Sequence, residues 1–246
     1  MKIFYMTDTG KVREHNEDNV IILHNENDEY ILAVADGMGG HRAGEVASEI
    51  VINHLTEQFY ALDTLGDKDS AIDFLRDIVV DMNNKIFDYT KENPDSKGMG
   101  TTFVCAIKTR DYLLYGNIGD SSGYVIKNKK MHKVTKDHTL VNLLVSTGKL
   151  SEEEAKYHPR KNVLMRALGA NNPIEIDIFD VENTATGILL CSDGLTNMLT
   201  DEQIEKVLAE EDDVEVAVDK LVRKSNARGG KDNISIAYLK KESGDL

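Results

Sequence analysis

The sequence has few of the residues that mark secreted or membrane proteins. Among its 246 residues there are two cysteines, three prolines and no tryptophan. The longest apolar runs, residues 30–35 and 187–191, are far shorter than the roughly 18 residues of a transmembrane helix. The first eight residues already include Asp8 and offer no apolar segment with a small-residue cleavage site. We therefore expect no signal peptide and a cytoplasmic location.

The two cysteines, Cys105 and Cys191, each lie within a strand-like run of apolar residues. Buried free thiols are therefore favoured over a disulfide, which agrees with a reducing compartment. The absence of a Cys-x-x-Cys pair excludes a zinc ribbon. Because Pro- or Ser-rich linkers and repeats are also absent, we predict one domain over residues 1–240 and a short charged tail at residues 241–246.

Basic residues are scarce relative to acidic ones. The 29 Lys and Arg against 43 Asp and Glu give a formal net charge of −14. A field of this sign repels phosphodiester backbones and anionic membrane surfaces, so we expect neither nucleic acid nor membrane as a partner. A local basic site for a small anion remains compatible with this charge. No long exposed apolar stripe is evident, so we expect a monomer.

The pattern of apolar residues predicts short strands and two pairs of helices. Segments rich in β-branched and aromatic residues predict strands at 2–7, 19–24, 30–35, 101–109, 112–117, 123–127, 131–134, 174–181, 187–191 and 234–239. Helical spacing predicts helices at 45–62, 70–92, 201–210 and 214–226. The helices come in consecutive pairs rather than alternating with strands, which indicates an α+β fold. Residues 137–168 fit neither pattern, and we interpret them as short helices and loops that form a surface flap.

Five aspartates, at positions 18, 36, 120, 193 and 232, each lie at or near a predicted strand end beside Gly or Asn. A single Asp-Gly step is most simply a turn, but several such steps favour a cluster of carboxylates at one sheet edge. Such a cluster repels itself strongly unless cations hold it together. Short acids and backbone carbonyls are the ligands of Mg²⁺ and Mn²⁺, and two such ions about 3.5–4 Å apart suit phosphoryl hydrolysis.

Arg13 lies four residues before Glu17 and five before Asp18. An arginine beside a carboxylate-metal site is a natural fork for two phosphate oxygens, because its guanidinium is always charged and bidentate. Taken alone, Arg13 would be interpreted as a surface residue.

In their order along the chain, these segments resemble the metal-dependent protein serine/threonine phosphatases of the PPM, or type-2C, family in its compact bacterial form. The matching motifs are Thr7-Asp8-x-Gly10 with Arg13-x-x-Asn16-Glu17-Asp18-Asn19, Val34-Ala35-Asp36-Gly37-Met38-Gly39-Gly40-His41, Gly100-Thr101-Thr102, Gly119-Asp120-Ser121, Asp137-His138-Thr139, Arg166-Ala167-Leu168-Gly169, Cys191-Ser192-Asp193-Gly194-Leu195 and Gly230-Lys231-Asp232-Asn233-Ile234. The resemblance covers nearly the whole chain. It implies a four-layer αββα sandwich, in which pairs of antiparallel helices flank two antiparallel β-sheets, with the flap near the active site.

The resemblance also implies the residues of the site. Asp36 would bridge two Mn²⁺ or Mg²⁺ ions, with Asp193 and Asp232 completing the ligands of one ion. The carbonyl of Gly37, with Glu17 and Asp18 directly or through water, would serve the other. Asp120 would share a third, weaker ion with Asp193.

By the same resemblance, a hydroxide bridging the two ions attacks phosphoserine or phosphothreonine in proteins. Arg13, Asp36, Asp193 and Asp232 are then the catalytic residues, and Arg13 and Asn233 contact the substrate. The expected partners are phosphorylated proteins, including a cytoplasmic Ser/Thr protein kinase that the enzyme opposes. Met38 stands where the animal branch of the family has a histidine, so we assign no general acid.

Two alternatives remain open from the sequence. One is a catalytically weak relative that binds phosphoproteins, which loss of metal ligands would favour; every expected carboxylate is present. The other is a metal-dependent phosphatase of a small molecule.

Overall fold

The computed structural model describes residues 1–40 and 42–242, apart from the side chain of Lys156. His41 of the motif above and residues 243–246 of the predicted tail lie outside the described residues. No helix within the described part of the chain combines the length and the apolar character needed to cross a bilayer.

The strands form two antiparallel sheets. The first sheet has the order β1 (Lys2–Asp8), β11 (Ile234–Lys240), β10 (Gly187–Cys191), β7 (Ser122–Lys127) and β8 (Lys130–Lys133). The second has the order β2 (Asp18–His24), β3 (Tyr30–Met38), β5 (Phe103–Lys108), β6 (Leu113–Ile118) and β9 (Asp177–Val181), and the short β4 (Gly100–Thr101) pairs with the end of β3.

Helices cover the outer faces of both sheets. The long helices are α1 (Ala43–Ala61), α2 (Lys68–Glu92), α6 (Asp201–Glu210) and α7 (Val214–Ala227), and the shorter ones are α3 (Leu140–Ser146), α4 (Glu152–Tyr157) and α5 (Asp193–Thr196), with one 3-10 turn at Pro94–Ser96. The apolar faces of α1 and α2 pack on the second sheet, and those of α6 and α7 pack on the first. The layers therefore run α, β, β, α, which confirms the predicted four-layer sandwich.

Strand alternation divides the apolar residues among three cores. Along β3, Ile31, Ala33 and Ala35 face the helices, whereas Leu32 and Val34 face the other sheet. This follows from the two-residue period of a strand, which sends successive side chains to opposite faces. The predicted strands were short apolar runs because both faces of the central strands are covered.

A buried hydrogen bond joins the two sheets across the central core. The hydroxyl of Tyr115 on β6 donates to the backbone carbonyl of Tyr124 on β7, with an O···O distance of 2.9 Å. Both tyrosines are almost completely buried. A buried hydroxyl needs such a partner, so this contact specifies how the two sheets lie against each other.

The predicted elements are all present, most of them with shifted ends. The predicted strand at 101–109 is divided into β4 and β5 at Thr102. The backbone N–H of Thr102 donates to the carbonyl of Asp36, and its hydroxyl accepts the backbone N–H of Asp36. The last part of the predicted strand at 174–181 forms β9, which begins at Asp177. The predicted short helices of residues 137–168 are α3 and α4. Cys105 and Cys191 are buried free thiols, as expected.

The β7–β8 hairpin turns through Asn128 and Lys129, which both adopt positive φ, 51° and 63°. This is the type I′ turn that matches the twist of a hairpin, and it suits Asn followed by Gly. Lys129 occupies the glycine position, where a side chain costs about 1 kcal/mol.

We therefore expect Lys129→Gly to raise the free energy of unfolding by about 1 kcal/mol, because the substitution relieves this backbone conformation. Urea denaturation of the purified protein measures the change. Lys129→Ala is the matched control, since it removes the same side chain without the conformational relief. Equal stabilities of the two variants would contradict the interpretation of the turn.

Candidate active site

The predicted aspartates meet at one edge of the sandwich. Asp36 lies near the end of β3, whereas Asp120 and Asp193 directly follow β6 and β10. Asp18 opens β2 and Asp232 stands just before β11. Because neighbouring strands are antiparallel, strand starts and strand ends alternate along an edge, and both sheets contribute acids to the same place.

A cavity of about 510 Å³ opens at this edge. Its lining contains most of the predicted site residues, namely Arg13, Glu17, Asp36, Gly37, Asp120, Asp193, Asp232 and Asn233. Asp18 is buried beneath it and pairs in register with Asp36 across β2 and β3. The opposite wall comes largely from Asn162, Leu164, Met165, Arg166, Ala167, Ala170 and Asn171, at the end of the predicted flap and just beyond it.

The carboxylates of the cavity are held in an environment that disfavours their charge. Burial, followed by repulsion from Asp18, Asp193, Asp120 and Asp232, raises the pKa of Asp36 well above its usual value. Burial is also the main reason that the pKa values of Asp18 and Asp120 rise to about 7 and that of Asp193 to about 6. Cations at this edge would stabilise the charged forms.

The donor set fits hard divalent cations. Asp18 Oδ1 is buried and has no hydrogen-bond partner among the described residues, so one carboxylate oxygen is left over for a cation or a water bound to it. Within the described residues, no three Asp, Glu, His or Cys side chains form a ready-made metal cage. The arrangement therefore suits ions such as Mg²⁺ and Mn²⁺, which keep several waters among their ligands, better than ions that need a full set of protein ligands.

Arg13 lies at the rim of the cavity. Its Nη2 donates to Asp232 Oδ2 at 2.8 Å, and its side chain is half exposed. One contact of this kind orients the guanidinium while leaving further N–H donors for an anion in the cavity. Arg13 belongs to the loop between β1 and β2, so its position depends on how that loop is held.

Asn233 holds this loop, and its contact with substrate stays a prediction. Its Nδ2 donates to the carbonyls of Thr9 (2.9 Å) and His15 (3.0 Å), and its Oδ1 accepts from the backbone N–H of Glu17 (2.9 Å). The residue is 5% exposed, and both of its amide N–H donors are used. Asn233 therefore positions the loop of Arg13 beside Asp232.

Glu17 connects the same loop to the start of α1. Its carboxylate accepts the backbone N–H of Gly44 in the first turn of α1, where the helix dipole favours a negative charge. Its backbone carbonyl accepts from Gly37 N at 3.1 Å and from Ser48 Oγ at 2.7 Å. A Cβ atom on Gly37 would overlap the Gly44 carbonyl oxygen, so this close approach requires glycine. Sequence reasoning missed Gly44 and Ser48, because the predicted helix began at residue 45 and left Gly44 outside it.

Hydroxyl groups fix two of the aspartates. Thr102 Oγ1 accepts the backbone N–H of Asp36 at 3.0 Å, and Ser192 Oγ donates to Asp18 Oδ2 at 2.7 Å. Both residues stand in the motifs given above, but their spacing in sequence gave no indication of these roles. Each contact joins chain segments more than 60 residues apart.

His138 joins the base of the predicted flap to the turn that carries Asp120. Its Nδ1 accepts the backbone N–H of Gly119 at 3.1 Å, so its proton is on Nε2, 3.2 Å from Asp177 Oδ2. Arg166 also contacts Asp177, with Nη1 2.6 Å from Oδ1. Burial lowers the pKa of His138, which favours this neutral form.

Comparison with known proteins identifies the type of site. Residues 10–235 match the family model described as protein phosphatase 2C. The chain is 40% identical to the serine/threonine phosphatase Stp of Listeria monocytogenes over 239 residues, covering 97% of this chain and 95% of that protein. It is 32% identical to the protein phosphatase PhpP of Streptococcus pneumoniae, covering 97% of each chain.

Solved structures of bacterial serine/threonine phosphatases have the same fold as this chain. The crystal structure of the serine/threonine phosphatase Stp1 from Staphylococcus aureus superposes with a TM-score of 0.91 at 37% identity, covering 98% of this chain and 95% of that one. The serine/threonine phosphatase PstP of Mycobacterium tuberculosis gives a TM-score of 0.85 at 33% identity, covering 98% of each chain. With its αββα fold and its edge of carboxylates, this chain belongs to the protein phosphatase 2C family and is a protein serine/threonine phosphatase.

Proposed function

We propose that this phosphatase uses two divalent ions, Mn²⁺ or Mg²⁺, to hydrolyse phosphoserine and phosphothreonine in cytoplasmic proteins, and that it opposes a Ser/Thr protein kinase, itself among the substrates. The observation that carries the proposal is the set of desolvated aspartates from both sheets around one cavity, with Arg13 at its rim. We further propose that the chain acts as a monomer and that residues 137–168 influence which substrates enter.

The residues proposed to hold the ions are Asp36, Asp193 and Asp232, the carbonyl of Gly37, and Glu17 and Asp18 directly or through water. Asp120, with Asp193, is proposed to hold a third and weaker ion. When bound, such ions lower the pKa of water and offset negative charge on a phosphoryl group. This chemistry agrees with a site that has more buried carboxylates than cationic side chains.

Phosphate binding is proposed to depend on side chains of the protein. Arg13 binds two phosphate oxygens and offsets the charge that spreads over them during transfer, while Asp232 and Asn233 keep the guanidinium in place. No histidine lines the described part of the cavity, and Met38 in its wall carries no proton to donate. We therefore propose that the leaving alkoxide takes its proton from water.

The first test is hydrolysis of a phosphothreonine peptide by the purified protein. We expect activity in MnCl₂, loss of activity in EDTA and recovery when Mn²⁺ is added back.

Asp193→Asn should abolish turnover with the fold intact, as circular dichroism would show. Calorimetric binding of Mn²⁺ with no hydrolysis of peptides would instead favour the phosphoprotein-binding alternative. Activity on small phosphate esters alone would favour a small-molecule phosphatase.

The aspartate cluster also predicts how stability depends on pH. A carboxyl group whose pKa is higher in the folded state binds more protons when folded, so stability falls as pH rises from about 4 through the folded pKa. For Asp18 and Asp120 that pKa is about 7. In EDTA, the melting temperature should therefore fall between pH 5 and pH 8.

Asp36→Asn removes one charge from this cluster. In EDTA at pH 8 we expect the variant to melt at a higher temperature than the wild type, because repulsion is reduced. Mn²⁺ should stabilise the wild type more than the variant, since the variant lacks a metal ligand. Asp95→Asn, at an exposed acid remote from the cavity, is the control. Identical melting curves of wild type and Asp36→Asn under both conditions would show that Asp36 is not part of a repulsive metal site.

Arg13→Ala should lower kcat/KM for the phosphopeptide by roughly 10–1,000-fold, as loss of a charged contact to the transferred group implies. Inhibition by inorganic phosphate should weaken at the same time. Arg13→Lys keeps the positive charge but loses the bidentate guanidinium. Its kcat/KM should lie between those of the wild type and Arg13→Ala. Steady-state kinetics at saturating Mn²⁺ measure all three proteins, and unchanged constants in Arg13→Ala would remove this residue from the site.

A further inference from the structure

A second cavity, of about 360 Å³, lies between α6, the β7–β8 hairpin and the C-terminal end of β11. It shares no lining residue with the active-site cavity. Tyr238 in its lining stands six positions after Asp232, which corresponds to about 20 Å at the rise of a strand. The second cavity therefore belongs to a different part of the molecule from the phosphatase site.

The cavity combines apolar side chains with a tyrosine hydroxyl. Ile126, Met131 and Leu208 line it together with the ring of Tyr238. Tyr238 is 2% exposed, and its hydroxyl, which makes no hydrogen bond with any residue that the structure describes, keeps a small accessible surface. Burial raises the pKa of Tyr238 to about 12, so the hydroxyl keeps its proton and can donate it. Buried tyrosine hydroxyls normally find a partner, as those of Tyr115 and Tyr124 do.

The charged residues that line this cavity include more cations than its acidic residues pair with. Every acidic residue there already has a cationic partner: Glu205 pairs with Lys130, Asp212 with Lys240, and Glu242 with Lys2. Lys129 and Lys241 also line the cavity and have no ion pair with the described residues. The charge left over at this cavity is thus positive, on a protein whose net charge is −14.

We propose that this cavity is a binding site for a small amphipathic anion. The apolar body of the ligand would lie on Ile126, Met131 and Leu208, and its anionic group would face Lys129 and Lys241. An oxygen of the ligand would accept the hydrogen bond of the Tyr238 hydroxyl. The volume is that of small-molecule sites, and the apolar side chains lie beside charged ones, as an amphipathic ligand requires. The proposal is independent of the phosphatase reaction.

Isothermal titration calorimetry with 8-anilinonaphthalene-1-sulfonate tests it. This probe joins an aromatic body to a sulfonate, and we expect saturable binding with a stoichiometry of one. N-phenyl-1-naphthylamine has the same rings without the sulfonate and should bind more weakly. Absence of saturable binding, or equal affinities for the two probes, would overturn the assignment of an anion site.

Three variants locate the binding. Tyr238→Phe and Lys241→Gln should each raise the Kd about 3–10-fold, as loss of a single hydrogen bond or a partly exposed charge contact implies. Ala209→Phe, at an exposed position in the lining, should abolish binding by filling the mouth. Lys224→Gln and Ala61→Phe are matched controls at exposed positions outside the lining. If the first three variants bind as tightly as the controls, the probe lies elsewhere and the proposal is wrong.

Discussion

The burial of mutually repelling carboxylates at one edge of the sandwich is the constraint on which the rest of this structure depends. Four aspartates there are largely desolvated, and their raised pKa values show that the folded chain holds them against their preference for water. Only a rigid frame can do this. The three apolar cores provide it, because strands packed on both faces cannot move apart without exposing buried side chains to water.

Polar contacts then set the position of each group on that frame. Thr102 and Ser192 hold Asp36 and Asp18, while Asn233 draws the loop of Arg13 and Glu17 against the start of β11. The positive charge of Arg13 and the negative charges therefore occupy adjacent places although they come from distant parts of the chain. The proposed binding of a dianion between metal ions and Arg13 requires this kind of fixed spacing.

The sequence was sufficient for the arrangement of elements and for the charged members of the site. The strand β10 was predicted to the residue as a short apolar run, since both of its faces are buried. The helix α6 was predicted to the residue because its period reflects which face is buried. Asp36 and Asp193 could be singled out because they interrupt apolar runs. The roles of Asn233, Ser192 and Gly44 could not be predicted, since each depends on a contact with a segment far away in sequence. The break at Thr102 escaped prediction for the same reason.

The hydroxyl of Tyr115 has a consequence for how this architecture can vary. Asp18 and Asp36 belong to one sheet, whereas Asp193 and Asp232 adjoin strands of the other, so a sliding of the sheets would separate the two halves of the site. The Tyr115–Tyr124 hydrogen bond opposes such shear, because displacement would leave a buried donor unsatisfied at a cost of about 1–3 kcal/mol. Loops at the edge can thus change in length and sequence during evolution while the two halves stay in register.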